Sequence, residues 1–307
     1  MTLKQLRYFI EVVRHNLNIS RAAQTLCTSQ AAISKQIHLL EEELSVQLFI
    51  RHGKRILRVT RAGQDVLETA ERMLRDTENI RAITADHTDH SRGNLAIAGT
   101  PTQIYYALPH VIQQFSASYP QVQISLSQGS PHQCADRVVT GEADLCIATE
   151  VIEEYPTLVM LPCHQWSRCI VTPRRHPLTR CKPLTLEDIA RYPIITYEFT
   201  LALRSPTRVA FDRKNLKPTV VLTASDPRVI KTYVTLGLGI GLVSSTAVDA
   251  RQDRNLAILD AGHLFEPGIT AIGLVRDSYI RQYAYDFIRL FAPQLTREAI
   301  TKVKTRL

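Results

Sequence analysis

Residues 19–44 read ISRAAQTLCTSQAAISKQIHLLEEEL, and the fold of the amino-terminal region turns on them. Ile19, Ala22, Ala23 and Leu26 recur on one side of a short helix that stops at Cys27-Thr28. Ser29 is a good N-cap for a second helix, whose apolar face is Ile33, Ile37, Leu40 and Leu44. Two helices joined by so short a turn, with small alanines where they cross, describe a helix-turn-helix. The second helix points Gln30, Ser34, Lys35 and His38 away from its apolar face. Gln can pair bidentately with adenine, and Ser and Lys reach phosphates or base edges, so Ser29, Gln30, Ser34, Lys35 and His38 are the expected DNA contacts. The acids Glu41, Glu42 and Glu43 follow, so contact should fade along this helix.

The pattern extends in both directions. Upstream, Leu3, Leu6, Ile10, Val13 and Leu17 form one face of a helix with Thr2 as its N-cap. Downstream, FIRHGKRILRVTRAG (49–63) carries Arg51, Lys54 and Arg55 without an acid, and Gly53 sits mid-turn. This stretch reads as a hairpin wing aimed at the DNA backbone, where cations supply salt-dependent, sequence-blind affinity. Thr60 should cap a long helix to about Ala85. Its seam of Val66, Ala70, Met73, Thr77, Ile80 and Thr84 suits either self-association or packing on its own domain. The polar run 86–93 reads as a linker.

From Asn94 short apolar runs alternate with amphipathic segments: NLAIAGT, IYYALPHVIQQF, VQISLSQ, a helix from Pro131, then ADLCIAT. The alternation resumes at PIITY and runs through TVVLTAS, a helix from Pro227 and IGLVS. This order predicts two α/β lobes with parallel sheets and helices on both faces. Ligands of such sheets sit beyond the carboxyl ends of the strands. Thr100, Thr102, Gln103, Ser130 and Thr149 fall there, together with Ser225-Asp226 at a helix start. Free N–H groups at helix starts suit a small oxyanion, although each such residue is also an ordinary helix cap.

Composition sets outer limits. The 307 residues are 45% hydrophobic, with 37 Lys and Arg against 29 Asp and Glu, a formal charge of +8 that admits polyanionic partners. Cys27, Cys134, Cys146, Cys163, Cys169 and Cys181 contain no C-x-x-C pair, so no metal site is expected. No apolar run is long enough to span a bilayer, and MTLKQLRYF has no signal-peptide pattern, so the expected location is cytoplasmic. Nucleophile-elbow, zinc-protease and P-loop motifs are absent, and GLGIG (237–241) follows a helix rather than a strand, so neither catalytic residues nor a cofactor are expected.

The amino-terminal pattern LKQLRYFIEVV, RAAQTL, SQAAISKQI, LEEELSVQLFIR and VTRAG resembles LysR-type transcriptional regulators. TPTQIYYALP, QGSP, GEADLCIATE, LVMLPCHQW, TASDPRVIKTYVTLGLGIG and YDFIRLFAP resemble the CysB-like branch, which controls sulfur assimilation. The resemblance implies an α+β chain in two parts: a winged helix-turn-helix with a long linker helix, then a two-lobed effector domain like periplasmic binding proteins. The expected divisions are 1–59 for DNA binding, 60–91 for the linker helix and hinge, and 92–307 for the effector domain. Within it, 92–163 and 268–307 would form one lobe and 164–267 the other. The partners implied are promoter DNA, RNA polymerase, a small anionic or sulfur-related effector such as sulfate or acetylserine, and three further copies in a dimer of dimers. The cleft residues implied are Thr100, Thr102, Gln103, Thr149 and Trp166, with the Trp166 indole N–H available to an anion. The branch's further threonine is replaced by Ala202. Thr200 stands two residues earlier as a substitute, and Glu198 adds a nearby negative charge. A regulator of another pathway, or a solute-binding or enzymatic α/β protein with a helical appendage, are the competing readings.

Overall fold

The structure is a computed structural model that describes residues 1–53, 55–149, 155–198, 200 and 205–304. The chain divides into two compact units, Met1–Thr88 and Asp89–Leu307.

In the first unit, helix α1 (Leu3–Arg14) starts at a capping box: the Thr2 hydroxyl accepts from the Gln5 amide, and the Gln5 side chain accepts from Thr2. The expected continuation to Leu17 is cut short, because Asn16 and Leu17 take positive φ and turn the chain into α2 (Ile19–Thr25). Ser29 caps α3 (Gln30–Leu44) by accepting from the Ala32 amide. Phe9, Ala22, Ala23, Ile33, Ile37 and Leu40 close this core. Strands β1 (Phe49–His52) and β2 (Arg55–Val59) pair antiparallel as the wing, with Gly53 at φ +60° in the turn. Helix α4 (Arg61–Thr88) runs further than expected. A Cβ at Gly63 would collide with the Leu48 carbonyl, so only glycine lets α4 leave this close to the wing. Val66, Leu67, Ala70 and Leu74 pack on the core, while Ile80 and Ile83 are exposed. The first half of the helix therefore packs mainly on its own unit, and an apolar edge of Met73, Ile80 and Ile83 is left free.

The second unit is built on two five-stranded sheets, each flanked by helices. The chain runs β3 (Arg92–Gly99), α5 (Leu108–Ser118), β4 (Gln121–Gln128), α6 (Pro131–Val139), β5 (Leu145–Ala148) and β6 (Leu158–Trp166). It continues through β7 (Arg168–Pro173), α7 (Leu186–Ala190), β8 (Ile194–Thr196), α8 (Pro206–Arg213), β9 (Val220–Thr223), α9 (Pro227–Thr235), β10 (Ile240–Ser244) and β11 (Leu256–Asp260). It ends with β12 (Gly268–Val275), α10 (Gln282–Phe291) and α11 (Arg297–Lys304). The first sheet has the order β4-β3-β5-β12-β6 and the second β11-β7-β10-β8-β9. Strands β5 and β10 are buried along their whole length, which explains their unbroken apolar runs.

Both sheets are mixed rather than wholly parallel. In the first, β3, β4 and β5 are parallel, while β12 pairs antiparallel with β5 and β6. In the second, β8, β9 and β10 are parallel and β7 opposes β10 and β11. The reason is connectivity: β6 carries the chain out of the first sheet and β12 brings it back, so the two run in opposite senses. The expected division at 164 falls inside β6, where His164, Gln165 and Trp166 pair with Thr270, Ile269 and Gly268, and the crossing lies at Ser167.

Candidate functional site

On the first unit, Ser29, Gln30, Ser34, Lys35 and His38 all lie exposed on α3. Gln30 donates to the Ser20 hydroxyl of α2, and His38 lies 3.2 Å from Glu42. Lys35 and Arg55 are exposed cations. Lys54 lies outside the described residues.

The three glutamates do not act as one repelling run. Glu41 is 3% exposed and accepts from the amides of Leu48 (2.9 Å) and Phe49 (3.1 Å) and from Arg51 Nη1 (2.7 Å). Its carboxylate ties the end of α3 to the first strand of the wing. Arg51 is thereby held in a charge-assisted bond and is less available to a phosphate than Arg55.

On the second unit, the ends of seven strands meet in one cleft with an empty volume of about 350 Å³, the part open to solvent included. From the first sheet come Thr100, Pro101 and Thr102 after β3, Gly129 to Pro131 after β4, Thr149 after β5, and Trp166 at the end of β6. The second sheet supplies Tyr197 after β8, Ser225 after β9 and Ser244 at the end of β10. Thr100, Thr102, Ser130, Thr149 and Trp166 are thus brought together as the sequence predicts. Ser130 caps α6 with a reciprocal bond to Gln133.

Two expected residues are placed otherwise. Gln103 is buried but does not line the cleft, because its amide donates to Thr270 Oγ1 at 3.0 Å and so ties the wall to β12. Thr200 is buried off the lining, its amide bonded to the Tyr197 carbonyl. Trp166 lines the cleft, yet its indole N–H donates to the Thr149 carbonyl at 3.1 Å, so the ring acts as a wall and not as a free donor. Glycine at 268 makes room for that ring, since a Cβ there would overlap it. Glu198 is exposed in a turn, and Ala202 lies outside the described residues.

Sequence reasoning missed Tyr197 as a site residue; its only signal was its place directly after the strand in PIITY. Its hydroxyl lies 3.5 Å from Thr102 Oγ1 and accepts from the Ser244 amide at 3.4 Å, which joins the walls from the two sheets. Burial pushes its phenol up to about 12, so it stays protonated at neutral pH.

Among the described residues, no carboxylate or cation lines the cleft. Arg168 lies behind it, its guanidinium 5.0 Å from the Trp166 ring centre. The hydroxyls of Thr100 and Thr149 are buried and have no hydrogen-bond partner among the described residues. A buried hydroxyl without a partner costs roughly 1–3 kcal/mol, and a ligand oxygen is the acceptor that would recover it. The cleft can therefore hold a small oxygen-rich molecule through neutral donors. Among the described residues there is no cluster of potential metal ligands.

Comparison with known proteins supports both halves. Residues 3–64 match the bacterial regulatory helix-turn-helix of the lysR family, and residues 88–296 match the LysR substrate binding domain. The chain is 47% identical to the HTH-type transcriptional regulator SsuR of Burkholderia cenocepacia, over 98% of this chain and 97% of that one. It is 44% identical to the regulator CysB of the same organism, over 98% and 96%. The crystal structure of the cofactor-binding domain of the Cbl transcriptional regulator superposes with a TM-score of 0.66 at 42% identity, covering 70% of this chain and 95% of that one.

Proposed function

Because the chain belongs to the LysR family of DNA-binding transcriptional regulators, we propose that it controls genes of sulfur metabolism in response to a small anionic or sulfur-related effector such as sulfate or acetylserine. One observation carries the ligand class. Thr100 and Thr149 present buried hydroxyls, unpartnered among the described residues, to a cleft whose described lining holds no carboxylate to repel an anion. Thr100, Thr102, Ser130 and Thr149 are the direct donors in this reading, while Gln103 and Trp166 hold the wall. Sulfur as the theme rests on the names and high identity of the relatives and on the CysB-like sequence stretches.

On the DNA side, α3 enters the major groove with Ser29, Gln30, Ser34, Lys35 and His38, and Arg55 on the wing meets phosphates. One such module reads few base pairs, so the regulator works as an assembly, a dimer of dimers in this proposal. The exposed Ile80 and Ile83 of α4 suit the pairing seam. The effector favours one arrangement of the assembly over another, and through it contact with RNA polymerase. Such a shift requires different affinities for the two arrangements. No described helix is long and apolar enough to cross a membrane, and a cytoplasmic site of action fits this role.

Two measurements test the proposal. A gel shift on the chain's own upstream region should show retardation that weakens with salt. A thermal-shift screen against sulfate, thiosulfate, O-acetylserine, N-acetylserine and adenosine phosphosulfate should raise the melting temperature with at least one of them. Stabilisation by none of the five, with stabilisation by an aromatic acid instead, would assign the protein to a different pathway.

A further inference from the structure

The walls of the cleft are joined a second time, behind its lining. Directly after Thr102 the chain makes a π-helical turn, Gln103–Ala107, before α5 begins. Such turns are rare and gather at functional positions. Here the turn delivers two adjacent tyrosines from the first-sheet side to α9 on the second-sheet side. The Arg228 guanidinium covers the Tyr105 ring at 3.4 Å from its centre while bonded to Asp226. Lys231 Nζ donates to Tyr106 Oη at 2.9 Å.

Lys231 is 7% exposed and fixed from its own side as well. It is 2.8 Å from Asp253 and donates to the Ala247 carbonyl at 3.0 Å. Ala247 belongs to the short 3-10 turn that Ser244, a cleft residue, begins and caps. The bond Tyr106–Lys231 therefore links the segment that starts at Thr102 to the segment that starts at Ser244. Tyr106 stands four residues after Thr102, and Ala247, to which Lys231 is tied, stands three after Ser244.

We propose that Tyr106 and Lys231 are positioning residues that latch the two lobes at the spacing the effector requires, so that ligand affinity depends on a bond the ligand never touches. The proposal rests on the reading of the cleft as the effector site. A ligand held by Thr100 and Thr149 on one wall and reached by Tyr197 and Ser244 on the other binds only while the walls are at one separation. Apparent affinity falls in proportion as that arrangement is less populated. The latch raises its population, and the cation on Lys231 stays compensated by Asp253 when the tyrosine hydroxyl is removed.

The test is Tyr106→Phe in the full-length chain, which deletes one hydroxyl and leaves the ring and the Lys231–Asp253 pair in place. Sulfate affinity, read by Trp166 fluorescence and calorimetry, should weaken about tenfold, the loss carried by one hydrogen bond to a charged donor. The melting temperature without ligand should fall by no more than about 6 °C, the most that the same tenfold, about 1.4 kcal/mol, allows in a unit of this size. Hydrogen exchange without ligand should quicken about tenfold at both 103–107 and 227–235, as for a locally opened contact. Unchanged affinity together with unchanged exchange in both segments would overturn the latch. If sulfate fails to bind the parent protein, the exchange result alone decides: quickening in both segments upholds the latch while the ligand class falls, and unchanged exchange overturns it.

Discussion

Removing a hydroxyl from the cleft should make the protein more stable and less responsive at once. Thr100 and Thr149 are 4% and 5% exposed, and their Oγ1 atoms have no partner among the described residues. Thr100→Val and Thr149→Val keep the branched shape. They leave the backbone bonds intact, since the Thr100 amide reaches the Ile147 carbonyl and the Thr149 carbonyl receives the Trp166 indole. In the unliganded protein each change removes a desolvation cost of roughly 1 kcal/mol or more. For a unit of this size that raises the melting temperature by about 2–4 °C. With the anion bound, each change loses a hydrogen bond to a charged acceptor, about 1.5–3 kcal/mol, or roughly ten- to a hundredfold in affinity. Paired thermal melts with and without sulfate, and titration of the Trp166 fluorescence, measure both quantities. A melting temperature lowered by several degrees with ligand affinity intact would show the hydroxyls to be structural and would refute the reasoning.

Three further outcomes are expected. Glu41→Ala leaves two buried amides and Arg51 without their acceptor. It should destabilise the first unit by about 3–5 kcal/mol, read as an early transition in far-UV circular dichroism that Trp166 fluorescence does not follow. Lys35→Ala and Arg55→Ala should each lower the slope of log affinity for DNA against log salt by about 1, measured by fluorescence anisotropy, whereas Arg51→Ala should act mainly on stability. Burial pushes the thiol of Cys134 up to about 11 and those of Cys146, Cys163 and Cys169 up to about 12. At pH 8 a group at 12 is thiolate in roughly one molecule in ten thousand. Iodoacetamide should therefore modify exposed Cys27 well before these four, by peptide mass mapping, with the four gaining reactivity only as pH rises towards those values.

Local chemistry made much of this legible. Thr2, Ser29, Thr60 and Ser130 announce their helices, because a cap and its partner are three residues apart. The cleft threonines were readable because each follows an apolar strand. What sequence could not show depends on contacts between distant residues. Gln103 looked like a ligand donor, but its partner Thr270 is 167 positions away. Trp166 looked free until β6 brought its indole to the Thr149 carbonyl. Glu41 looked like one of three surface acids, and only the return of β1 across the end of α3 encloses it. The sheets read as parallel because the pattern of apolar runs carries no direction, and β12 reverses the ladder.

That reversal also sets an order of assembly on the ribosome. Every strand of the second sheet lies between Arg168 and Asp260, so this lobe has all its pieces once that stretch has emerged. The first sheet begins earlier but keeps a gap between β5 and β6 that only β12, ending at Val275, can fill. The lobe translated first must therefore wait, edges open, for the nascent chain to finish the lobe inserted within it. That interval is when a holding chaperone would find exposed strand to bind.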